Sequence, residues 1–253
     1  MSRIRIIPCI DMIGGKVVKG RRFGDVKEVG DVKSLAKRYS ETLADEIVFY
    51  DITASQEGRS TDLTVLADIG SCITVPFSIG GGISSIADIK RCLDVGASKV
   101  SINSAAVKDP EFIKKASDEF GSNRIVVGVD VKQNKMGTWN VYLKGGTLDT
   151  GISVTEWVKK ATSLGAGEFI INSIDGDGMK NGYDVSLFKE VKKATNLPVI
   201  ASGGAGTFED FYHIIVAAGV DGVLAASVFH YGEISITDLK KYLMQRGVDV
   251  LGA

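Results

Sequence analysis

Short apolar runs alternate along this chain with longer stretches in which apolar residues recur at helical spacing. The runs are rich in Val and Ile and cover residues 5–10, 46–52, 75–80, 98–102, 124–130, 167–172, 198–202 and 221–225. The helical patterns lie near residues 31–43, 59–73, 85–95, 109–120, 153–164, 185–195, 207–218 and 235–245. Nearly continuous apolar strands are typical of a parallel sheet that is covered by helices. Eight such units in 253 residues predict an α/β fold, a closed (β/α)8 TIM barrel, with an open doubly wound sheet as the alternative.

The second half of the sequence repeats the first at an offset of about 122 residues. The segment Pro76–Gly82 matches Pro198–Gly204, and Asp88 matches Asp210. We therefore predict a single domain, residues 1–253, built from two similar half-barrels at about 1–122 and 123–253. Such a repeat would place two similar binding sites opposite each other.

Each half carries a carboxylate at the end of its first strand, in the segments Arg5–Asp11 and Arg124–Asp130. Catalytic groups of barrel enzymes come from the carboxyl ends of the strands. Strands one and five of eight lie on opposite sides of a barrel. We therefore predict that Asp11 and Asp130 face each other across one pocket and divide the general acid and general base roles. A structural, hydrogen-bonded aspartate at each strand end is the alternative.

Glycine clusters follow the third and seventh strands, at Gly80–Gly82 and Ser202–Gly204, and each lies just before a helix. Asn103–Ser104 and Ala226–Ser227 follow the fourth and eighth strands in the same way. Glycine lets an anion approach the backbone closely, and a helix N-terminus supplies free N–H groups. The matched clusters predict a substrate with a phosphate at each end, whereas tight turns alone are the alternative.

Other polar residues complete the predicted pocket. Asp51 ends the second strand and Asp177 follows the sixth, so both are expected to line the space between the phosphates. Lys19, in the glycine-containing loop after the first strand, would reach over the mouth and pair with a phosphate or a developing charge. A solvated loop lysine is the alternative interpretation of Lys19.

Composition removes several function classes. A net charge of −1 gives no long-range field toward nucleic acid or a membrane surface, so neither is expected as a partner. No apolar run approaches the roughly 20 residues that span a bilayer, and no signal peptide is evident, so a cytoplasmic location is expected. Cys9, Cys72 and Cys92 are scattered and are expected to be reduced and buried. With 2 histidines, far from other ligands, we expect neither a metal nor a cofactor.

Taken together, these residues resemble the cyclase subunits of imidazole glycerol phosphate synthase, a lyase of histidine biosynthesis. The resemblance runs from Arg5 to about Val248. The stretches that carry it are Ile6–Asp11, Val17–Gly20, Asp51–Ser55, Gly80–Ile83, Lys99–Ala106, Ser173–Asp175, Ala201–Gly206 and Leu224–His230.

The resemblance implies a specific reaction and partner. A glutaminase subunit (HisH-type), bound as a heterodimer partner, would make ammonia that travels through the barrel. The ammonia would react with a bisphosphorylated ribulosyl aminoimidazole-carboxamide nucleotide (PRFAR). The products would be imidazole glycerol phosphate and the aminoimidazole-carboxamide ribonucleotide (AICAR).

The resemblance also assigns roles to residues. Asp11 and Asp130 match the acid–base pair of the family, with Lys19 retained beside them. The positions that match phosphate-binding residues are Gly82, Asn103, Ser104, Gly178, Gly204, Ala226 and Ser227. Four further positions match a charged gate for ammonia in the family. They lie at the N-terminal ends of the strands, opposite the predicted active site, and are Arg5, Glu46, Lys99 and Glu168. Buried charges at such a place must pair, and a paired ring can open and close.

The chain departs from the family around the pocket, at Met12–Gly15, Arg21–Phe23 and Asn172–Met179, and at Ser98, where an acid commonly helps to dock the glutaminase. These changes keep other hypotheses open. One is a related ammonia-using barrel that makes amidino sugars. Others are the sister isomerase of histidine biosynthesis and a non-catalytic barrel scaffold. The charged gate favours the cyclase over the isomerase, and the intact pair of aspartates argues against a scaffold.

Overall fold

Parallel strands close into an eight-stranded barrel in the computed structural model, which describes residues 3–21 and 24–252, with side chains for all of these except residues 19–21 and 24–27. The strands, in chain order, are β1 (Arg5–Ile13), β2 (Lys16–Arg21), β3 (Gly24–Asp31), β4 (Ile47–Asp51), β5 (Phe77–Gly80), β6 (Lys99–Ile102), β7 (Ile125–Gln133), β8 (Trp139–Leu143), β9 (Leu148–Ser153), β10 (Glu168–Ser173), β11 (Val199–Ser202) and β12 (Gly222–Ala225). Of these, β1, β4, β5, β6, β7, β10, β11 and β12 pair in parallel in that order. β12 then pairs with β1, which closes the sheet and confirms the predicted barrel.

Helices surround the barrel in the connections from one parallel strand to the next. In chain order they are α1 (Val32–Glu41), α2 (Ala54–Glu57), α3 (Thr64–Ile69), α4 (Ile86–Asp94), α5 (Ser104–Lys108), α6 (Glu111–Phe120), α7 (Val154–Ser163), α8 (Val185–Ala194), α9 (Phe208–Ala218), α10 (Ser227–His230) and α11 (Ile236–Gln245). Among the described residues, no helix combines the length and the apolarity that crossing a bilayer requires.

The parallel strands are buried on both faces, which is why they read as continuous apolar runs. Every residue of β5, β11 and β12 is buried. Outward side chains pack beneath the helices in one large core. Inward side chains form a second, smaller apolar cluster in the barrel interior, with members Ile7, Cys9, Val48, Val126, Ile170, Ile200, Leu224 and Ala226.

The sequence repeat is visible in how equivalent helices begin. Ser85 accepts a hydrogen bond from the Asp88 N–H at the start of α4, at 3.1 Å. Thr207 and Asp210 form a capping box at the start of α9. Both aspartates also accept an N–H from the residues just before their helices. The matched Asp88 and Asp210 therefore fix the loops that follow β5 and β11.

Each strand that carries a predicted catalytic aspartate continues into an antiparallel hairpin. Met12 on β1 pairs with Val17 on β2, which in turn pairs with β3. Asp130 on β7 pairs with Tyr142 on β8, which pairs with β9. The expectation that Lys19 lies in a loop after the first strand was therefore wrong, because Lys19 is on β2. Antiparallel strands form there because their backbone N–H and C=O groups then pair with one another, whereas in an irregular connection they would be hydrogen-bonded only to water.

Two other expectations also need correction. The helix expected near 59–73 is confined to α3, because Arg59 and the Asp62 N–H are bound to the carboxylate of Asp51 and hold the preceding segment irregular. Cys9 and Cys92 are buried and outside any disulfide, as expected, whereas Cys72 is exposed. Cys72 lies beyond the end of α3, in a turn outside the apolar face of that helix.

Candidate active site

A cavity of about 600 Å³ opens at the carboxyl ends of the parallel strands. Its volume lies within the range of about 300–1,000 Å³ that is usual for small-molecule sites. Closure of the barrel brings residues from both halves of the chain into one wall. The sequence-predicted residues that line it are Asp11, Asp51, Gly82, Asn103, Ser104, Asp130, Asp177, Gly178, Gly204, Ala226 and Ser227.

Asp130 is held between two amides. Asn103 Nδ2 donates to Oδ2 at 2.9 Å, and Asn172 Nδ2 donates to Oδ1 at 3.3 Å. Burial raises the pKa of Asp130 to about 6, although both amide hydrogen bonds act to lower it, and the charges of Asp177 and Asp11 raise it further. A carboxyl group with this pKa takes up and releases a proton near neutral pH, as general acid–base catalysis requires.

Asp11 lies on β1, on the side of the barrel opposite β7. Its backbone pairs with Tyr50 on β4, so the residue sits within the sheet and not in a loop. The Cys9 thiol lies 3.5 Å from its Oδ1. Tyr50 also lines the cavity, and its hydroxyl is 3.1 Å from that of Ser101. The structure thus brings Asp11 and Asp130 to one cavity from opposite strands.

Backbone conformation requires the glycines of the two matched clusters. Gly82 has a φ of +67°, and a Cβ there would lie 2.5 Å from the Arg59 carbonyl oxygen. Gly204 has a φ of +115°, and its Cβ would lie 2.1 Å from the Gly182 carbonyl oxygen. The packing of these turns is therefore sufficient to explain why glycine occupies both positions. The same lack of a side chain leaves the backbone open to the cavity, so a tight turn and an anion site are compatible interpretations.

Short helices complete the two ends of the cavity. Asn103 precedes α5 with φ and ψ of −134° and −89°, and Ala226 precedes α10 with −122° and −75°. Ser104 and Ser227 are the first residues of these helices, and all four residues line the cavity. The two ends therefore present similar backbone geometry on opposite sides, since β5 and β6 lie across the barrel from β11 and β12.

Asp51 lines the cavity but its carboxylate is already engaged. Arg59 binds it in a bidentate pair, with N–O distances of 2.6 and 2.9 Å. The backbone N–H groups of Ala54 and Asp62 donate to it as well, each at 3.2 Å. This arrangement anchors the loop after β4 and fixes the cavity wall beside Gly82.

A ring of alternating charges closes the other end of the barrel interior. Arg5 lies 3.0 Å from Glu46 and also pairs with Glu168, while Lys99 lies 2.9 Å from Glu46 and 3.2 Å from Glu168. Ser78 donates a further hydrogen bond to Glu46. Burial lowers the pKa of Arg5, but Glu168 and Glu46 more than offset this and the pKa is raised. The four residues that the resemblance assigned to a gate therefore lie in direct contact.

Comparison of the chain with known proteins identifies its family. The model of the histidine biosynthesis protein family matches residues 5–235. The chain is 51% identical over 246 residues to the imidazole glycerol phosphate synthase subunit HisF of Natranaerobius thermophilus, covering 97% of this chain and 98% of that one. It is 51% identical to the HisF subunit of Dictyoglomus turgidum, over 96% of each chain. Against the HisF subunit of Oceanobacillus iheyensis the identity is 50%, over 97% of this chain and 96% of that one.

The chain belongs to the HisF family.

Several residues of this HisF-family site were not singled out from the sequence. Arg59 is eight positions from Asp51 in an irregular segment, and no local pattern marks the pair. Ser202 belongs to a recognised glycine cluster, but its hydroxyl donates to Asn172 Oδ1 at 2.9 Å, a contact that depends on strand register. Tyr50 and Lys108 also line the cavity.

Lys19 and its neighbours in the HisF-family chain are only partly described by the structure. The side chain of Lys19 lies outside the described residues, as do Arg22 and Phe23 and the side chain of Arg21. Lys19 itself is placed on β2. Within residues 3–21 and 24–252, no group of three or more His, Cys, Asp and Glu side chains is placed to hold a metal ion.

Proposed function

We propose that this chain is the cyclase subunit of imidazole glycerol phosphate synthase. It would use ammonia to convert the bisphosphorylated ribulosyl aminoimidazole-carboxamide nucleotide into imidazole glycerol phosphate and the aminoimidazole-carboxamide ribonucleotide. The observation that carries the proposal is the cavity in which Asp11 and Asp130 lie between two similar glycine-lined ends. Identity of about 50% to HisF subunits over nearly the full length supports it.

The two ends would each bind one phosphate of the substrate. At one end Gly82 and the first turn of α5, which line the cavity, would offer backbone N–H groups, and at the other Gly204 and the first turn of α10 would do so. Gly178, with a φ of +69°, lies in the loop after β10 beside the second end. Backbone donors suit a phosphate because they carry no opposing charge to desolvate and are fixed before binding.

The two aspartates would carry the proton transfers. Addition of ammonia to a ketone carbon expels the carbonyl oxygen as water, so a proton must reach that oxygen. Release of the second product as an amine needs a proton at its nitrogen, and ring closure needs one removed. Asp130, whose pKa is raised to about 6 by burial, exchanges protons readily at neutral pH. Asp11 faces it from β1, and Lys19 would pair with a phosphate or a developing charge over the mouth.

Ammonia would enter from the end of the barrel opposite the cavity. The ring of Arg5, Glu46, Lys99 and Glu168 stands there, and the apolar interior cluster lies between the ring and the cavity. A neutral molecule such as ammonia crosses an apolar interior at much lower cost than a charged one. A glutaminase subunit bound at this face would deliver ammonia away from water. Ser98, which donates to the Phe77 carbonyl at 2.9 Å on this face, stands where an acid is usual in the family.

A direct assay tests the reaction. The purified protein is given the bisphosphorylated nucleotide and an ammonium salt at high pH, where free ammonia is available, and loss of substrate absorbance is followed. We expect turnover that depends on the ammonium concentration and is lost in Asp130→Asn. Absence of turnover, or turnover independent of ammonium, would contradict the proposal, and the latter would favour the sister isomerase.

Adding a HisH-type glutaminase and glutamine in place of ammonium tests the partner separately. We expect glutamine to support turnover only when both subunits are present. Turnover with ammonium but never with glutamine would retain the reaction and reject the partner.

A further inference from the structure

A row of hydrogen-bonded side chains crosses the cavity wall from one phosphate end to the other. Asn103 Nδ2 donates to Asp130, Asn172 Nδ2 donates to the other oxygen of Asp130, and Ser202 Oγ donates to Asn172 Oδ1 at 2.9 Å. Asn103 directly precedes α5 at the first end, and Ser202 directly precedes Gly203 at the second. Asp130 therefore has a side-chain connection to both ends.

Strand register creates the second half of this row. Asn172 on β10 is opposite Asp130 on β7 and opposite Ser202 on β11. The three residues thus lie at one level of the barrel, on adjacent strands. A shift of one residue in either pairing would turn Asn172 out of the barrel, because successive side chains alternate between faces.

Ser202 also fixes which way the Asn172 amide faces. A carboxamide has a donor end and an acceptor end, and a serine hydroxyl that donates to its oxygen leaves only the NH₂ group directed at Asp130. The neighbouring Gly203 has no side chain, and a Cβ there would lie 3.2 Å from Asn172 Oδ1. The turn at the second phosphate end therefore contacts the amide through Ser202, and a side chain at position 203 would crowd the amide oxygen.

We propose that Asn172 is a positioning residue that ties the Asp130 carboxylate to the second phosphate end through Ser202. In this arrangement a phosphate bound at Gly203–Gly204 holds Ser202, Ser202 orients the amide, and the amide holds one oxygen of Asp130. The consequence for the reaction rests on the proposed function, but the consequence for Asp130 itself does not. Asn172 is also one of the positions at which the chain departs from the family that it resembles.

Titration of Asp130 in the substrate-free protein gives the first test. The carboxyl ¹³C signal of Asp130, identified by its loss in Asp130→Asn, is followed with pH in the wild type and in Asn172→Leu. Loss of the amide donor removes a contact that lowers the pKa of Asp130, so we expect the midpoint to move up by about one pH unit. An unchanged midpoint in a folded variant would overturn the inference, whatever the activity of the protein.

Kinetics give the second test. In Asn172→Leu we expect kcat to fall about tenfold, with the limb of the pH profile that reports Asp130 displaced upward by the same amount as the midpoint. Asn172→Thr, whose hydroxyl also donates, should restore the position of that limb. Ser202→Ala should shift it in the same direction by less, and should add nothing to Asn172→Leu. A uniform loss of rate without displacement, or full additivity of Ser202→Ala, would indicate a structural role only.

Asn140→Leu is the matched control. Asn140 Nδ2 also donates to a carboxylate, that of Asp149 at 3.1 Å, but in the hairpin of β8 and β9. This variant should leave both the Asp130 midpoint and the pH profile unchanged. A displacement equal to that of Asn172→Leu would show that the effect is not specific to the row, and would also overturn the inference.

Discussion

Asp11 and Asp130 occupy equivalent places on opposite strands, but their neighbours differ. Amides donate to both oxygens of Asp130, whereas the Cys9 thiol, from the same strand, lies 3.5 Å from Asp11. The residue equivalent to Cys9 near Asp130 is Gly128. A thiol is a weaker donor than an amide. The described contacts of the two carboxylates therefore differ in spite of the sequence repeat.

Kinetics of single substitutions test this pair. Asp11→Asn and Asp130→Asn should each reduce kcat by at least about 10²-fold, the usual scale of general acid–base catalysis. KM should change little, because the proposed phosphate contacts at the two ends remain. The ammonium-dependent assay measures both constants. Full activity in either variant would exclude that aspartate from proton transfer.

The Asp130→Asn substitution, which should lower activity, should raise the free energy of unfolding relative to wild type as pH rises. Its pKa is raised to about 6 in the folded protein, against about 3.9 in an unfolded chain. The folded state thus binds more protons between these values, so this group's contribution to stability falls as pH rises from about 4 to about 6. Asp130→Asn removes that dependence. Relative to wild type, the variant should gain on the order of 2–3 kcal/mol in unfolding free energy between about pH 4 and pH 8.

Urea unfolding at the two pH values measures this gain. Asn103 can accommodate the amide that the substitution introduces, because its Oδ1 is buried without a hydrogen-bond partner among the described residues and can accept from that amide after a flip. A variant that loses stability relative to wild type as pH rises would contradict the assignment of a raised pKa.

At the scale of elements, the turn after β11 should tolerate no side chain. Gly204→Ala places a Cβ 2.1 Å from a backbone oxygen at a φ of +115°, so we expect a loss of about 3 kcal/mol or more and a KM raised at least about tenfold. Gly219→Ala is the control, since its φ is +66° and nothing lies within 4 Å of a Cβ. That variant should cost about 1 kcal/mol and leave KM unchanged. Equal stability of the two variants would refute the packing argument.

The elements of the barrel were predictable because burial on both faces leaves a continuous apolar run at each parallel strand. The hairpins were missed for different reasons. β9 is largely exposed and polar, so it has no periodic signal. β8 does alternate, with Trp139, Val141 and Leu143 buried, and that signal was available. Gly14 and Gly15, both with positive φ, form the two-residue turn between β1 and β2.

The site residues were predictable where a glycine or an aspartate directly follows or ends a strand, because each of these residue types suggests one role there. Glycines, aspartates and their repeat gave the residues that line the cavity. Contacts between strands were not predictable, because a one-residue change of register alters every partner. The hydrogen bond between Ser202 and Asn172 belongs to this class. The pair of Asp51 with Arg59 was missed for another reason, because Arg59 lies in an irregular segment that no sequence pattern marks.

At the scale of the whole molecule, substitutions in the charged ring show how much this end of the barrel contributes to stability. Arg5→Ala leaves the buried carboxylates of Glu46 and Glu168 with Lys99 as their remaining cation in the ring, and should cost about 3–5 kcal/mol of unfolding free energy. Lys90→Ala, which breaks the exposed pair with Asp94, should cost less than about 1 kcal/mol. Denaturant unfolding of both variants measures the difference.

The same Arg5→Ala protein allows a functional comparison. Glutamine-dependent turnover in the presence of a HisH-type subunit should fall more than ammonium-dependent turnover, because external ammonia can reach the cavity directly from solvent. An equal loss in both assays would show that the ring supports the fold without affecting the supply of ammonia.

The placement of Asp11 and Asp130 inside β1 and β7 has a consequence for how this barrel diverges. Each aspartate has a paired neighbour strand, so its backbone does not depend on the loops that follow. The departures that the sequence resemblance predicts begin at Met12, directly after Asp11, and recur from Asn172, beside Asp130, to Met179. Substitutions there can reshape what the cavity admits while the carboxylates of Asp11 and Asp130 stay in place. Backbone pairing thus holds the two carboxylates at one level of the barrel, even where the side chains beside them change.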